Sequence, residues 1–208
     1  MDTKKLKYRK IIKKNEFELE LNEGNIELPL VEEIGDFAFR NCYFKGSLIM
    51  PFCKKIGIYA FNSSIFDKII EIQNCEEIGA NAFSFSEFKD HLFLPKCKLI
   101  DDSAFASSRF YSNLELPKCE KIGRYAFVNS QFSGVLNVPE CKFIGKNAFD
   151  FSHFTMIKIS DNVILEENCI GRYTEDFIKT YEKNNKLAGT YYYTGIGWSL
   201  IDFTLILK

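Results

Sequence analysis

The residues of this 208-residue chain best able to do chemistry are seven cysteines and two histidines. Five of the cysteines, Cys53, Cys75, Cys97, Cys119 and Cys141, recur every 22 residues. A thiolate binds zinc, attacks electrophiles and senses oxidants, so such a column invites a metal or redox reading. No C-x-x-C pair accompanies it. Thiols on stacked coils would fall within the Cα range of a disulfide, yet parallel side chains aimed into one core are badly directed for bonding. Val31 holds the same place one step earlier, and Cys often packs as a small buried hydrophobe. The column therefore reads as packing, with protonated thiols that alkylate slowly. Cys42 lies outside it and Cys169 takes a Phe place in the last coil, so both are expected to be less protected. No metal and no cofactor is expected.

The other chemical signals are weak. His91 and His153 occupy different positions of the repeat and should not converge. No Ser-His-Asp set can be placed, no Gly-rich phosphate loop exists, and Gly195-Ile196-Gly197 is a lone G-x-G in a turn. Asn62-Ser63-Ser64 satisfies the N-x-S/T rule, which matters only in an exported protein. Lys+Arg number 27 against 28 Asp+Glu, without the basic surplus of a duplex-binding domain. No nucleic-acid partner is expected. No run approaches the ~18 apolar residues of a membrane span, and the basic start lacks a signal-peptide core. An odd number of unpaired cysteines fits a reducing compartment. The reading is cytoplasmic, with a cell-surface location open if a leader has been removed.

What positions these residues is a repeat. The anchor I-G-x-x-A-F begins at Ile34, Ile56, Ile78, Ile100, Ile122 and Ile144, with Asp101 replacing Gly in the fourth copy. The columns from Phe39 to Phe149 and from Phe44 to Phe154 account for most of the 21 phenylalanines. All five prolines share one column. Each coil opens with an alternating segment such as Ser47-Leu48-Ile49-Met50, a strand with one buried face. Proline ends it because it cannot donate to a ladder. Gly is read as allowing a tight bend, and A-F-x-x-S/C as one helical turn. Glu32, Lys54, Glu76, Lys98, Glu120 and Lys142 alternate in sign on successive coils. This gives a degenerate capping coil over 1–23, an array over 24–170, and a C-terminal cap over 171–208 made of a helix and a tyrosine-rich hairpin. A late step of 21 residues reflects one residue lost after Phe154.

The form L-x-L-P-x-C-x-x-I-G-x-x-A-F resembles the BspA-like leucine-rich repeats. By that family's convention the fold is α/β but strand-dominated. The resemblance implies a right-handed curved solenoid of 22-residue coils, with a parallel concave sheet and short helical turns on the other side. It also implies binding of other proteins, often at a cell surface.

Function would then sit on outward positions of the strand face. Ile49, Ile69 and Phe93 are apolar where polar residues are the rule, and Glu71, His91, Asn113 and Glu115 edge them. The expectation is a monomeric, non-enzymatic scaffold that binds a protein partner there, without membrane insertion. The alternatives are a surface adhesin-type module, or an enzyme whose site the sequence does not place.

Overall fold

The computed structural model describes residues 6–90, 92–111, 114–131 and 134–201. The array begins earlier than the anchor motif. Ile11–Ile12 pairs in parallel with Glu33–Ile34, and Leu21–Asn22 with Tyr43–Phe44. The first coil thus shares the ladders of those that follow.

Three strand ladders run along the solenoid. The longest has eight two-residue strands, one per coil, from Ile11–Ile12 to Ile164–Leu165. It passes through the anchor isoleucines, each paired 22 residues on. The last pair, Phe143 with Ile164, shows the lost residue as a step of 21. A second ladder of five strands runs from Leu21–Asn22 to Arg109–Phe110. The third, through the L-x-L segments, is the one expected to carry function, and it falls into two blocks. Ile26–Glu27, Leu48–Ile49 and Ile70–Glu71 form one. Leu114–Glu115, Val135–Val138 and Met156–Ile159 begin the other. Only an isolated bridge, Ile70 to Leu92, reaches towards the gap.

Between ladders the chain turns without forming a helix. Residues 36–41 and their equivalents are turns with two left-handed residues each, for example Phe37 (φ 58°) and Asn41 (φ 57°). Their N–H groups reach across to the next coil: Phe37 donates to Ile58 O and Asn41 to Asn62 O. Coil-to-coil bonds at every second residue alternate with local bonds three residues back, such as Ala38 N to Gly35 O and Arg40 N to Phe37 O. The glycine of the anchor has a different role from the expected bend. A Cβ on Gly57 would lie 2.7 Å from Asp36 N, and one on Gly145 2.7 Å from Arg124 N. Where glycine stands, the backbone of the preceding coil crowds the place a Cβ would take; the fourth copy carries Asp101 there.

The core is a set of stacked spines. Rings of successive coils from Phe39 to Phe149 stand 5.1–5.2 Å apart and within 7° of parallel. Phe44, Phe66, Phe88 and Phe110 form a second stack at 5.0–5.2 Å. The two stacks meet at steep angles, as between Phe61 and Phe66 at 5.7 Å and 61°. Offset and edge contacts of this kind are worth about 0.5–1.5 kcal/mol per pair beyond area burial. A repeat alone cannot bury its apolar face, so stability comes from the stacking of neighbours.

The open end of that core is covered. Helix α1 (Thr174–Lys183) carries Glu175 and Asp176 in its first turn, suiting the positive end of its dipole, and buries Phe177 and Tyr181. Gly189–Tyr193 adds antiparallel to Met156–Ile159, and Trp198–Leu200 closes the sheet beyond it. Phe177, Tyr181, Tyr191 and Trp198 make one aromatic cluster. Residues 202–207, read as part of the hairpin, lie outside the described residues.

Candidate functional site

All seven cysteines are free and buried. In the column of five, each thiol points to a carbonyl two residues on: Cys53 to Lys55 O at 3.5 Å, Cys97 to Leu99 O at 3.4 Å, Cys141 to Phe143 O at 3.3 Å. The sulfur thereby satisfies a turn carbonyl inside the core. Burial raises the Cys53 thiol to about 12 and the Cys141 thiol to about 11, and lifts Cys75, Cys97 and Cys119 well above the ordinary thiol value. A group that stays protonated is neither a nucleophile nor a metal ligand. Among the described residues no group of three or more His, Cys, Asp or Glu could hold a metal ion.

The two cysteines outside the column are equally buried, contrary to expectation. Burial raises Cys42 to about 11 and Cys169 to about 12. Phe127 N bonds Ala148 O and Phe149 N bonds Cys169 O, so Cys169 stands in the alanine place, not the phenylalanine place. The 21-residue step moves it there.

Cys42 belongs to a column that a reading of cysteines alone misses. Ser64, Ser86, Ser108, Ser130 and Ser152 follow it at 22-residue steps, and their hydroxyls donate to Phe39, Phe61, Phe83, Phe105 and Phe127 O at 2.6–2.8 Å. Cys42 makes the same bond to Phe17 O at 2.9 Å. The signal was the S/C position after A-F. Its meaning was hidden because the acceptor lies 25 residues back.

The strand face places its residues less simply than the sequence grouped them. Phe93 and Ile69 are 55% and 41% exposed, Ile49 and Glu71 are half-buried, and Glu115 is exposed. His91 and Asn113 lie outside the described residues. The register sets Ile49 beside Glu27 on one side and Glu71 on the other. At the same step Phe93 follows Glu71 and precedes Glu115. Ile49 and Phe93 are therefore separated by a carboxylate, which accepts a bond from Gln73 Nε2 at 2.9 Å. Ile69 sits one column over, its carbonyl accepting from Leu48 N. The face alternates apolar and acidic groups instead of presenting one apolar patch.

The alternating charge column starts one coil earlier, where Glu32 lies between Lys10 at 3.2 Å and Lys54 at 3.6 Å; further on, Lys98 meets Glu76 at 2.7 Å and Lys142 meets Glu120 at 2.6 Å. Hydrogen bonds from Lys98 and Lys142 hold the Glu76 and Glu120 carboxyls below their usual range. The N-x-S/T site is closed: Asn62 is buried and its amide donates to Ser84 Oγ at 2.6 Å and Ser84 O at 3.1 Å. A cleft of about 320 Å³ lies where the cap meets the last coil, with His153, Arg172, Tyr173, Tyr193 and Trp198 in its walls.

Residues 10–133 and 98–191 match the BspA type leucine-rich repeat region, in six copies. The chain belongs to this family. Comparison with curated proteins and with solved structures gives no match. As a BspA-type repeat protein it is a strand-dominated solenoid with parallel ladders and one short helix among its described residues. The family points to an interaction or adhesin-like module. None of its described helices is long and apolar enough to cross a membrane.

Proposed function

We propose that this BspA-type array is a non-enzymatic scaffold that binds a protein partner across its L-x-L strand face. The residues in contact would be Ile49, Ile69, Glu71, Phe93 and Glu115, together with His91 and Asn113. The observation that carries the reading is Phe93, a large apolar side chain more than half exposed and flanked at the coil step by Glu71 and Glu115. Exposed aromatics act as interface anchors, and charges around them select the partner. The chemistry that fits this face is an apolar segment carrying Lys or Arg.

Affinity capture from the source cells with the wild-type chain and with an Ile69→Ser, Phe93→Ser variant tests it. The expected result is a discrete set of partners retained by the wild type and lost by the variant, with unchanged circular dichroism. Retention of every partner by the folded variant would refute the assignment. Surface labelling of intact cells separates an intracellular scaffold from an adhesin using the same face.

A further inference from the structure

A second surface stands out because the fold itself does not explain it. The second left-handed residue of each turn lies in a column that steps by 22: Leu19, Asn41, Ser63, Phe85, Ser107, Asn129 and Phe151, with φ between 53° and 65°. Each from Leu19 to Asn129 donates its N–H to the next coil, Asn41 to Asn62 O and Phe85 to Ala106 O. Phe151 keeps the same conformation at the last turn, where its N–H donates to Asp150 Oδ1 at 3.1 Å. Short polar residues such as Asn tolerate it, whereas bulky side chains are strained there. Yet every third coil carries one: Leu19 is 73% exposed, Phe85 66% and Phe151 72%. In the neighbouring turn column Phe37 and Tyr59 stack on each other at 5.1 Å, and Tyr125 is 41% exposed. Strained and solvated apolar groups weaken the fold, and such outliers point to function.

The column also has the same order of apolar and polar residues in both directions about Phe85. One step away on either side are Ser63 and Ser107, two steps away Asn41 and Asn129, three steps away Leu19 and Phe151. With core rings of successive coils 5.0–5.3 Å apart, the three apolar groups are spaced about 15 Å apart along one ridge. A surface with this symmetry is complementary to itself when one copy is reversed, as a two-fold interface requires.

We propose that this ridge joins two copies of the chain antiparallel, with Phe85 packed on Phe85 of the second copy and Leu19 on its Phe151. The surface differs from the L-x-L face, so the proposal stands independently of the partner-binding reading and revises the expectation of a monomer. The contact is narrow, so it belongs to the weak class of interfaces.

Sedimentation velocity of the full chain across about 5–500 µM, the range where small interfaces associate, tests for the dimer. The expected result is a dimer growing in with concentration, weakened at least about tenfold by Phe85→Asn. That variant restores a side chain suited to the left-handed conformation, and its thermal midpoint should be equal to or above that of the wild type. Cysteine cross-linking reads the orientation, because the seven native thiols are buried. Phe85→Cys should oxidise to a covalent dimer. Phe151→Cys should not do so alone, but should cross-link to Leu19→Cys in a mixture. A monomer at every concentration, a dimer indifferent to Phe85→Asn, or self-cross-linking of Phe151→Cys would each overturn the proposal.

Discussion

Raising the pH should unfold this protein through its cysteines. An unfolded thiol loses its proton near pH 8.5. In the folded chain, burial raises Cys42 and Cys141 to about 11, Cys53 and Cys169 to about 12, and holds Cys75, Cys97 and Cys119 well above the ordinary thiol value. A folded-state value above the unfolded one gives stability that is whole below pH 8.5 and lost as pH climbs towards the folded value. In that window the unfolded chain binds fewer protons, so stability falls with slope 2.303RT per thiol, about 1.4 kcal/mol per pH unit. One unit above the unfolded value, seven thiols together cost on the order of 10 kcal/mol, comparable to the whole stability of an ordinary domain. Cooperative unfolding is therefore expected between about pH 9 and 10, ahead of most lysine and tyrosine titration. Circular dichroism and the fluorescence of the single tryptophan, Trp198, would follow it in the presence of a reductant. Replacing Cys75, Cys97 and Cys119 with Val, the residue found at position 31 of the same column, should move the midpoint up by roughly 0.8 of a unit by the same arithmetic. A chain still folded at about pH 11, or a triple-Val variant with the wild-type midpoint, would refute the argument from linkage.

Other outcomes follow from the same columns. Ser86→Ala removes the hydroxyl bonded to Phe61 O at 2.8 Å and strands a buried carbonyl, which should cost about 1–3 kcal/mol in urea denaturation. Cys97→Ser should cost less, under about 1 kcal/mol, because the Leu99 carbonyl that accepts the thiol can accept a hydroxyl. In native alkylation followed by mass spectrometry, all seven cysteines should label far more slowly than in denaturant, Cys42 and Cys169 included. Expression in a glycosylating host should leave the mass unchanged, since the Asn62 amide is held inside by Ser84.

Much of the fold could be read in advance because a solenoid turns sequence period into spatial period. Residues 22 apart become neighbours, so the columns headed by Phe39, Phe44 and Cys53 are both a pattern on paper and three spines of the core. Even the order of the strand face was available. Adding 22 to Ile49 gives Glu71, and adding it again gives Phe93. Grouping residues by apolar type instead of by column concealed the alternation.

The sequence by itself determined the repeat, its inward columns and the strand after each turn. These follow from side-chain type and fixed spacing, which need no partner to be known. Only the tertiary structure decided which backbone atom each buried polar group meets. The serine hydroxyls bond carbonyls 25 residues earlier, and the anchor glycines stand where another coil crowds the place of a Cβ. It also decided that the turns are left-handed at two places, because their N–H groups bond the neighbouring coil instead of their own. That choice puts Phe85 out in solvent, its N–H bonded outward to Ala106 O of the next coil, while Phe151 keeps the same left-handed place at the last turn with its N–H on the Asp150 carboxylate.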